Sequence, residues 1–293
     1  MYFSRVRVRP DVRDIHLLIK GNGYGAHQML WKLFPSLGDG RTFIFREEIG
    51  REQIPFHKGV KGEPIFYLVS ESHPISDHPV FSVESKPYAP KLARGDRLAF
   101  RLRANPTIAR KIEGKKNSVR HDVVMDAQYH LLRELADKVG TLSKAKKSVI
   151  KQQLLRSFEA LSSANIIEER LREIIAENER FKEIVNKSVS LEKLLDVAIK
   201  ARTNKALEVW LGEKGERLGY TIVRDDPRKR LKFQAEGYQW HPLPQKGKTA
   251  GFSSVDFEGE IEVVNSERLT ETLFSGIGPA KGFGCGLMLV RRV

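Results

Sequence analysis

The sequence predicts an α+β chain in which one β-α-β-β-α-β pattern is used twice, the second time around a long all-α insertion. Three observations predict it. Short apolar runs fenced by prolines fill the first hundred residues and return after residue 206. Between them, residues 124–203 contain no proline and a single glycine, Gly140, while apolar residues recur at helical spacing. Finally, the chain closes on a short helical stripe, a glycine-dense loop and an apolar run.

Residues 2–8 alternate and stop at Pro10, which predicts a first strand. Over 24–34, Ala26, Leu30, Leu33 and Phe34 lie on one helical face and Pro35 ends the run. Residues 42–46, 65–70 and 79–86 are short β-like runs, the last bounded by Pro74, Pro79 and Pro87, with room for a short helix near 71–78. That order suits a ferredoxin-like unit. A second round starts near Arg97: a strand over 98–103 with basic residues on alternate positions, a helix over 206–217, strands over 220–223 and 252–264, and a helix over 266–274. The expected domains are 1–95 and 96–293, the second interrupted at about 127–203. The repeat is architectural, with no sequence period.

Inside the insertion, three apolar sets keep the i, i+3, i+4 pattern: Ile150–Leu161, Ile166–Ile175 and Leu191–Ile199. They predict a helical hairpin or three-helix insertion. Asn165 to Glu168 has capping-box spacing, and Ser190 is placed to cap the third helix. Residues 141–200 hold 12 Lys/Arg against 9 Asp/Glu. This near balance assigns most of the net charge to the ferredoxin-like units and argues against a helical DNA-binding module at 127–203.

The final loop, Gly276 to Gly286, has five glycines in eleven residues. A phosphate-binding P-loop needs Gly-Lys-Ser/Thr at a strand-to-helix turn, whereas Lys281 precedes Gly282 and the loop leaves a helix. The dinucleotide fingerprint fails where its third glycine is replaced by Lys281. What the loop offers is backbone N–H donors with Lys281 and Phe283, suited to an extended polyanion; the plain alternative is a tight connection to the last strand. A formal net charge of +14 and a pI near 9.8 favour a nucleic-acid partner. No 18-residue apolar run exists, which predicts no membrane span. A single cysteine, Cys285, excludes an internal disulfide and a cysteine-rich zinc site and fits a reducing cytoplasm.

Gly21-Asn-Gly-Tyr24-Gly-Ala-His27 leads into the first helix and places Tyr24 and His27 three residues apart on one face. The open helix end favours a phosphate, and histidine moves a proton near neutral pH without a metal. No carboxylate cluster marks a two-metal site, so neither metal nor cofactor is expected. The ligand types in His73-Pro-Ile-Ser-Asp77-His78 read as a turn. Trp31, Trp210 and Trp240 read as packing residues. Arg228-Lys229-Arg230 and Lys115-Lys116 are solvated charge clusters or RNA contacts.

These segments resemble the CasE (Cse-type) CRISPR RNA endoribonucleases of the type I-E Cascade complex. The resemblance rests on Tyr24-Gly-Ala-His27-Gln-Met-Leu-Trp31-Lys-Leu-Phe-Pro35 with Phe43-Ile-Phe-Arg46. It extends to Asn105-Pro-Thr107 with Arg120-His-Asp-Val-Val-Met-Asp126, to Val255-Asp-Phe-Glu-Gly259, and to Gly276–Val290. It implies two tandem ferredoxin-like (RRM-like) domains and metal-independent cleavage of a CRISPR repeat RNA hairpin through attack of a ribose 2′-OH. It further implies an enzyme that is monomeric when free, stays on its product and joins the other Cascade subunits. By the same resemblance Tyr24 and His27 are catalytic. The RNA-binding candidates are Lys32, Arg228, Lys229, Arg230, Lys246, Lys248, Gly278, Lys281, Gly282, Phe283 and Gly284. Relatives often carry an arginine after the histidine, where this chain has Gln28. The rival reading is a catalytically silent RNA-hairpin binder of the same fold.

Overall fold

The structure is a computed structural model that describes residues 1–9, 24–34, 42–50, 63–111, 114, 116–141, 144–158, 161–225, 230–243, 247 and 250–293. It divides into two compact units. Unit 1 comprises Met1–Asn105, Gly215–Arg224 and Leu231–Val293, and unit 2 comprises Pro106–Lys214 and Asp225–Arg230.

Unit 1 holds two antiparallel sheets. The first contains β1 (Tyr2–Val8), β2 (Phe43–Gly50), β3 (Glu63–Ser70) and β4 (Phe81–Pro87), in the order β2-β3-β1-β4. Period-two alternation sends Val6, Val8, Phe43, Phe45, Phe66 and Leu68 to one face, where Ala26, Leu30, Leu33 and Phe34 cover them. Those last four come from helix Tyr24–Trp31 and the tight turn that continues it to Phe34. Each valine, leucine or phenylalanine among them, fully buried, contributes about 1.5–3 kcal/mol. The room expected for a helix near 71–78 is filled by irregular chain, with Asp77 bridging Ser82. Pro74 and Pro79 keep that crossover from winding.

The second sheet begins with β5 (Arg97–Ala104). In chain order there follow β6 (Thr107–Arg110), β7 (Val119–Asp122), β8 (Tyr220–Ile222), the two-residue pair β9 (Arg224–Asp225) and β10 (Arg230–Leu231), β11 (Phe233–Pro242), β12 (Gly251–Val263) and β13 (Met288–Arg292). Of these, β11, β12, β5 and β13 form the second sheet in that order, the same as that of the first, with β8 beside β12, while β6–β7 and β9–β10 are separate two-stranded ribbons; this gives two ferredoxin-like halves. Tyr220–Ile222, expected as the second strand of this half, only flanks β12 at 261–263. The second strand is β11, whose mostly exposed edge position gives it no apolar alternation to read. Helix Ser266–Ser275 is capped by Asn265, whose side chain accepts from the Arg268 amide, and it leads into the glycine loop and β13.

Unit 2 is larger than the expected three-helix insertion. The β6–β7 hairpin leads straight into helix Val123–Lys138, whose N-cap Asp122 accepts from the Met125 amide. Helices Lys147–Ser157 and Leu161–Ala176 follow. The last expected insertion helix and the expected helix over 206–217 are one 28-residue helix, Leu191–Leu218, and the Ser190 hydroxyl accepts from the Lys193 amide at its start. Asn165 lies inside a helix, so the capping box expected there does not form. Leu131, Leu135, Ile150, Leu154, Leu171, Ile175, Leu194 and Ala198 build the unit's core.

His73, Asp77 and His78 do not converge as ligands. The His78 ring is buried, stacks on Phe81 at 5.2 Å and accepts the Val80 amide at Nδ1. The His73 ring faces Tyr2 edge-on and bonds to the Pro74 carbonyl. Trp210 is buried and donates to the Thr107 carbonyl within unit 2. Trp240 departs from the expected packing role: it is 48% exposed on β11.

Burial, and after it the charge of Lys32, holds His78 below the usual histidine range, and burial with the charge of Arg103 does the same for His241. The unfolded chain therefore binds protons that the folded chain resists, so stability is full above about pH 6.5 and declines as the pH falls below it. Thermal melts between about pH 7.5 and 5.5 should show this decline. It should be shallower for His78→Asn, whose amide oxygen replaces Nδ1 as acceptor but cannot be protonated.

Candidate functional site

Helix Tyr24–Trp31 carries the two catalytic candidates, and packing rather than capping fixes His27. Its half-buried imidazole stacks on Trp31 at 5.5 Å, meets Phe43 at 5.2 Å, and faces Phe45 edge-on at 6.1 Å. Three aromatic neighbours hold the ring plane, which suits a group that must present one nitrogen in one direction. Tyr24 opens the helix. Lys32 is exposed one residue beyond it.

The short turn Lys281–Phe283 packs against this same helix and against β2. Chain ends 250 residues apart in sequence thus meet, as the paired motifs require. The loop's glycines, however, face inward. Gly284 is buried at φ +79°, and a Cβ there would lie 3.3 Å from the Phe45 ring. Gly276, at φ +76°, would press a Cβ to 3.0 Å from Ile44 and from the Gly286 carbonyl. Close approach is needed here by the chain's own strand β2 and its own carbonyl. The expected open row of N–H donors is also partly closed. The amides of Gly276, Ile277, Phe283, Cys285 and Gly286 all bond to carbonyls of unit 1. Lys281 donates from Nζ to the Ser275 carbonyl at 2.6 Å. Phe283 lies 4.7 Å from Phe252, which stacks on His241 at 4.6 Å, and the His241 ring bonds to Ser254.

Of the other candidates, Arg228, Lys229, Lys246 and Lys248 lie outside the described residues, and Arg230 is described only as backbone in β10. Gly278 adopts φ +77° and Gly282 is buried. Tyr238 and Trp240 are both exposed on β11.

Sequence reasoning also missed the ion-pair network joining the two sheets. Asp256 of β12 takes Arg103 of β5 in a two-point contact, 3.0 Å to each carboxylate oxygen, and accepts from Arg46 of β2 at 3.3 Å. The Arg46 side chain is 4% exposed and also pairs with Glu48 at 2.6 Å. These residues line a cleft of ≈ 390 Å³ together with Arg101, Glu236 and Glu258. Four carboxylates against three arginines make it a poor seat for a phosphate. An arginine at an inward position of an apolar strand was the available signal, since a buried guanidinium requires a paired acid.

Replacing Asp256 with Asn should lower stability by about 2–4 kcal/mol, because it leaves the buried Arg46 and the Arg103 fork short of their shared acid. Gly284→Val should also lower the melting temperature, because it forces a β-branched residue to positive φ against Phe45. Denaturant and thermal melts check both; an unchanged melt for Gly284→Val would return that glycine to a direct role in ligand approach.

A family model described as CRISPR associated protein matches residues 1–292. The CRISPR-associated endoribonuclease Cse3 of Thermus thermophilus is 31% identical over 98 residues, which is 32% of this chain and 46% of that relative. The structure of Thermus thermophilus Cse3 bound to an RNA representing a pre-cleavage complex is similar in fold. Its TM-score is 0.55 at 20% identity, covering 99% of this chain and 98% of that one. Cas6e from Escherichia coli str. K-12 gives a TM-score of 0.50 at 20% identity over the whole of both chains. With the match running nearly end to end, and with both ferredoxin-like halves in place, the chain belongs to the CRISPR-associated protein family described by that model.

Proposed function

We propose that this chain is an endoribonuclease that cleaves CRISPR repeat RNA at a hairpin, without a metal ion, and stays bound to the mature RNA as a subunit of Cascade. The observation that carries the reading is the meeting of the His27 helix with the Lys281–Phe283 turn. Both segments belong to the motifs of the family resemblance. The naming of the Thermus relative as an endoribonuclease and the RNA in the similar structure support it further.

The chemistry follows from the residue types. The 2′-oxygen upstream of the scissile phosphate forms a bond to phosphorus while the bond from phosphorus to the 5′-oxygen breaks. One proton leaves the 2′-OH and one reaches the 5′-oxygen, giving a 2′,3′-cyclic phosphate and a 5′-OH. His27 is the group for one of these transfers, and one positioned proton-transfer group contributes roughly 10²–10⁴-fold. Tyr24 orients the 2′-OH or a non-bridging oxygen. A lysine beside the site would offset the negative charge that builds on the phosphoryl oxygens; Lys246 and Lys248 are the candidates the family resemblance offers, and the Lys281 amine bonds to the Ser275 carbonyl.

Single-turnover cleavage of labelled repeat RNA in EDTA tests the proposal. Cleavage should persist and yield cyclic-phosphate ends by mass spectrometry; a 3′-OH end would point to metal-dependent hydrolysis. His27→Ala should abolish cleavage while RNA affinity stays within a few-fold, and Tyr24→Phe should slow the reaction less. Tight binding without cleavage by the unmodified protein would establish the silent hairpin binder instead.

A further inference from the structure

Strand β11 carries an extra residue that decides where its side chains point. Glu236 pairs with Asp256 but Gln239 pairs with Ser254, so β11 advances three residues where β12 advances two. This is a bulge, and it holds Gly237 at φ +65°. Before it, Gln234 and Glu236 line the cleft with Asp256 and Glu258. Beyond it the alternation is inverted. His241 takes the cleft-side face and stacks on Phe252, while Trp240 is turned to the opposite face with its cross-strand partner Ser253.

The turned indole is seated rather than loose. A Cβ at Gly251 would lie 2.5 Å from its Cζ2 and 2.8 Å from its Cε2, so only glycine leaves room for the ring there. Packing on a glycine backbone fixes the direction of the indole. It does not bury it: Trp240 stays 48% exposed, and among the described residues no other ring and no cation stacks on it. Composition changes at the same bulge. Residues 237–255 contain no Asp or Glu and include Lys246 and Lys248, whereas Glu236, Asp256 and Glu258 stand just outside that stretch. The acid-free end of the ribbon is also fastened beside the candidate site. The stack of His241, Phe252 and Phe283 ends on the turn that packs against the His27 helix.

We propose that Trp240 is a stacking platform for one unpaired base of the bound RNA. The inference rests on the RNA-processing function proposed above and adds to it a contact with a base rather than with the backbone. A fixed aromatic surface, on a stretch of chain without carboxylates, suits a ligand that offers both a flat ring and negative charge. Bases inside a duplex have both faces covered by their neighbours, so the base comes from single-stranded nucleotides. Those are the loop of the repeat hairpin or the segments that flank its stem, and the chemistry of the contact is the same for both.

The test uses the full chain and labelled repeat RNA with both flanks, carrying 2′-H at any mapped cut so that binding alone is read. Each unpaired nucleotide is replaced in turn by an abasic one. For the unmodified protein one position should cost about tenfold in affinity. Trp240→Leu should lose about as much on intact RNA and nothing further on that abasic RNA, while Trp240→Phe keeps most of the affinity. The slope of log Kd against log salt should stay unchanged, because no phosphate contact is lost. The sensitive position assigns the base to the loop or to a flank. Cooperative melts verify folding. Should Trp240→Leu not fold, quenching of tryptophan emission by RNA decides instead: it should fall in Trp240→Phe, and equal quenching overturns the platform. Unchanged affinity in Trp240→Leu would overturn it too, as would equal losses on the intact and every abasic RNA. A salt slope lower by about one would overturn it by showing that the change removes a phosphate contact. A chain that binds no repeat RNA refutes the function proposed above along with the platform, whereas one that binds and cleaves with no dependence on Trp240 loses the platform alone.

Discussion

Everything in unit 1 hangs on β2 being buried on both faces. Phe43 and Phe45 point into the helix-covered core, while Ile44 and Arg46 point toward the second sheet. A strand buried on one side tolerates polar residues on the other; this one does not, so its outward side chains need partners from distant chain. Ile44 finds Leu287 and Val69, and Arg46 finds Asp256. The same strand supplies two of the three aromatic walls around His27. The catalytic candidate, the glycine loop and the second sheet are thus referred to one strand, and a shift of β2 by one residue would exchange Phe45 for Ile44 or Arg46 at all three.

Much of this was legible in the sequence, for identifiable reasons. The first strand, the first helix, the Ser266–Ser275 helix and the last strand announce themselves through periodicity and proline or glycine punctuation. β11 does not, because an exposed edge strand containing Gly237 lacks an apolar face. The β6–β7 hairpin is four residues a side, too short for alternation to stand out. His27 was singled out by its glycine-rich approach, whereas its aromatic setting depends on residues from another strand. The Arg46–Asp256–Arg103 network spans 210 residues and has no local signature at all.

Net charge was the least faithful guide. A total of +14 cancels Arg46 and Arg103 against Asp256 and Glu48 without telling which cations stand free at the surface. It also averages over unlike stretches: residues 106–157 hold 12 Lys/Arg against 5 Asp/Glu, and residues 158–214 hold 10 against 11. What an approaching polyanion meets is the unpaired, exposed fraction, and that fraction follows tertiary boundaries rather than sequence windows.

Cys285 sits at the end of the glycine loop, fully buried, its amide bonded to Ala280 and its neighbour Gly286 bonded to the Arg103 carbonyl. Burial above all pushes its thiol up to about 12. As the chain's single thiol, it is inert to alkylating reagents while the loop is seated on β2 and becomes reactive only when that seat opens. The rate at which a thiol reagent labels the native protein is therefore a direct clock for opening of the loop that adjoins His27, with no engineered probe required.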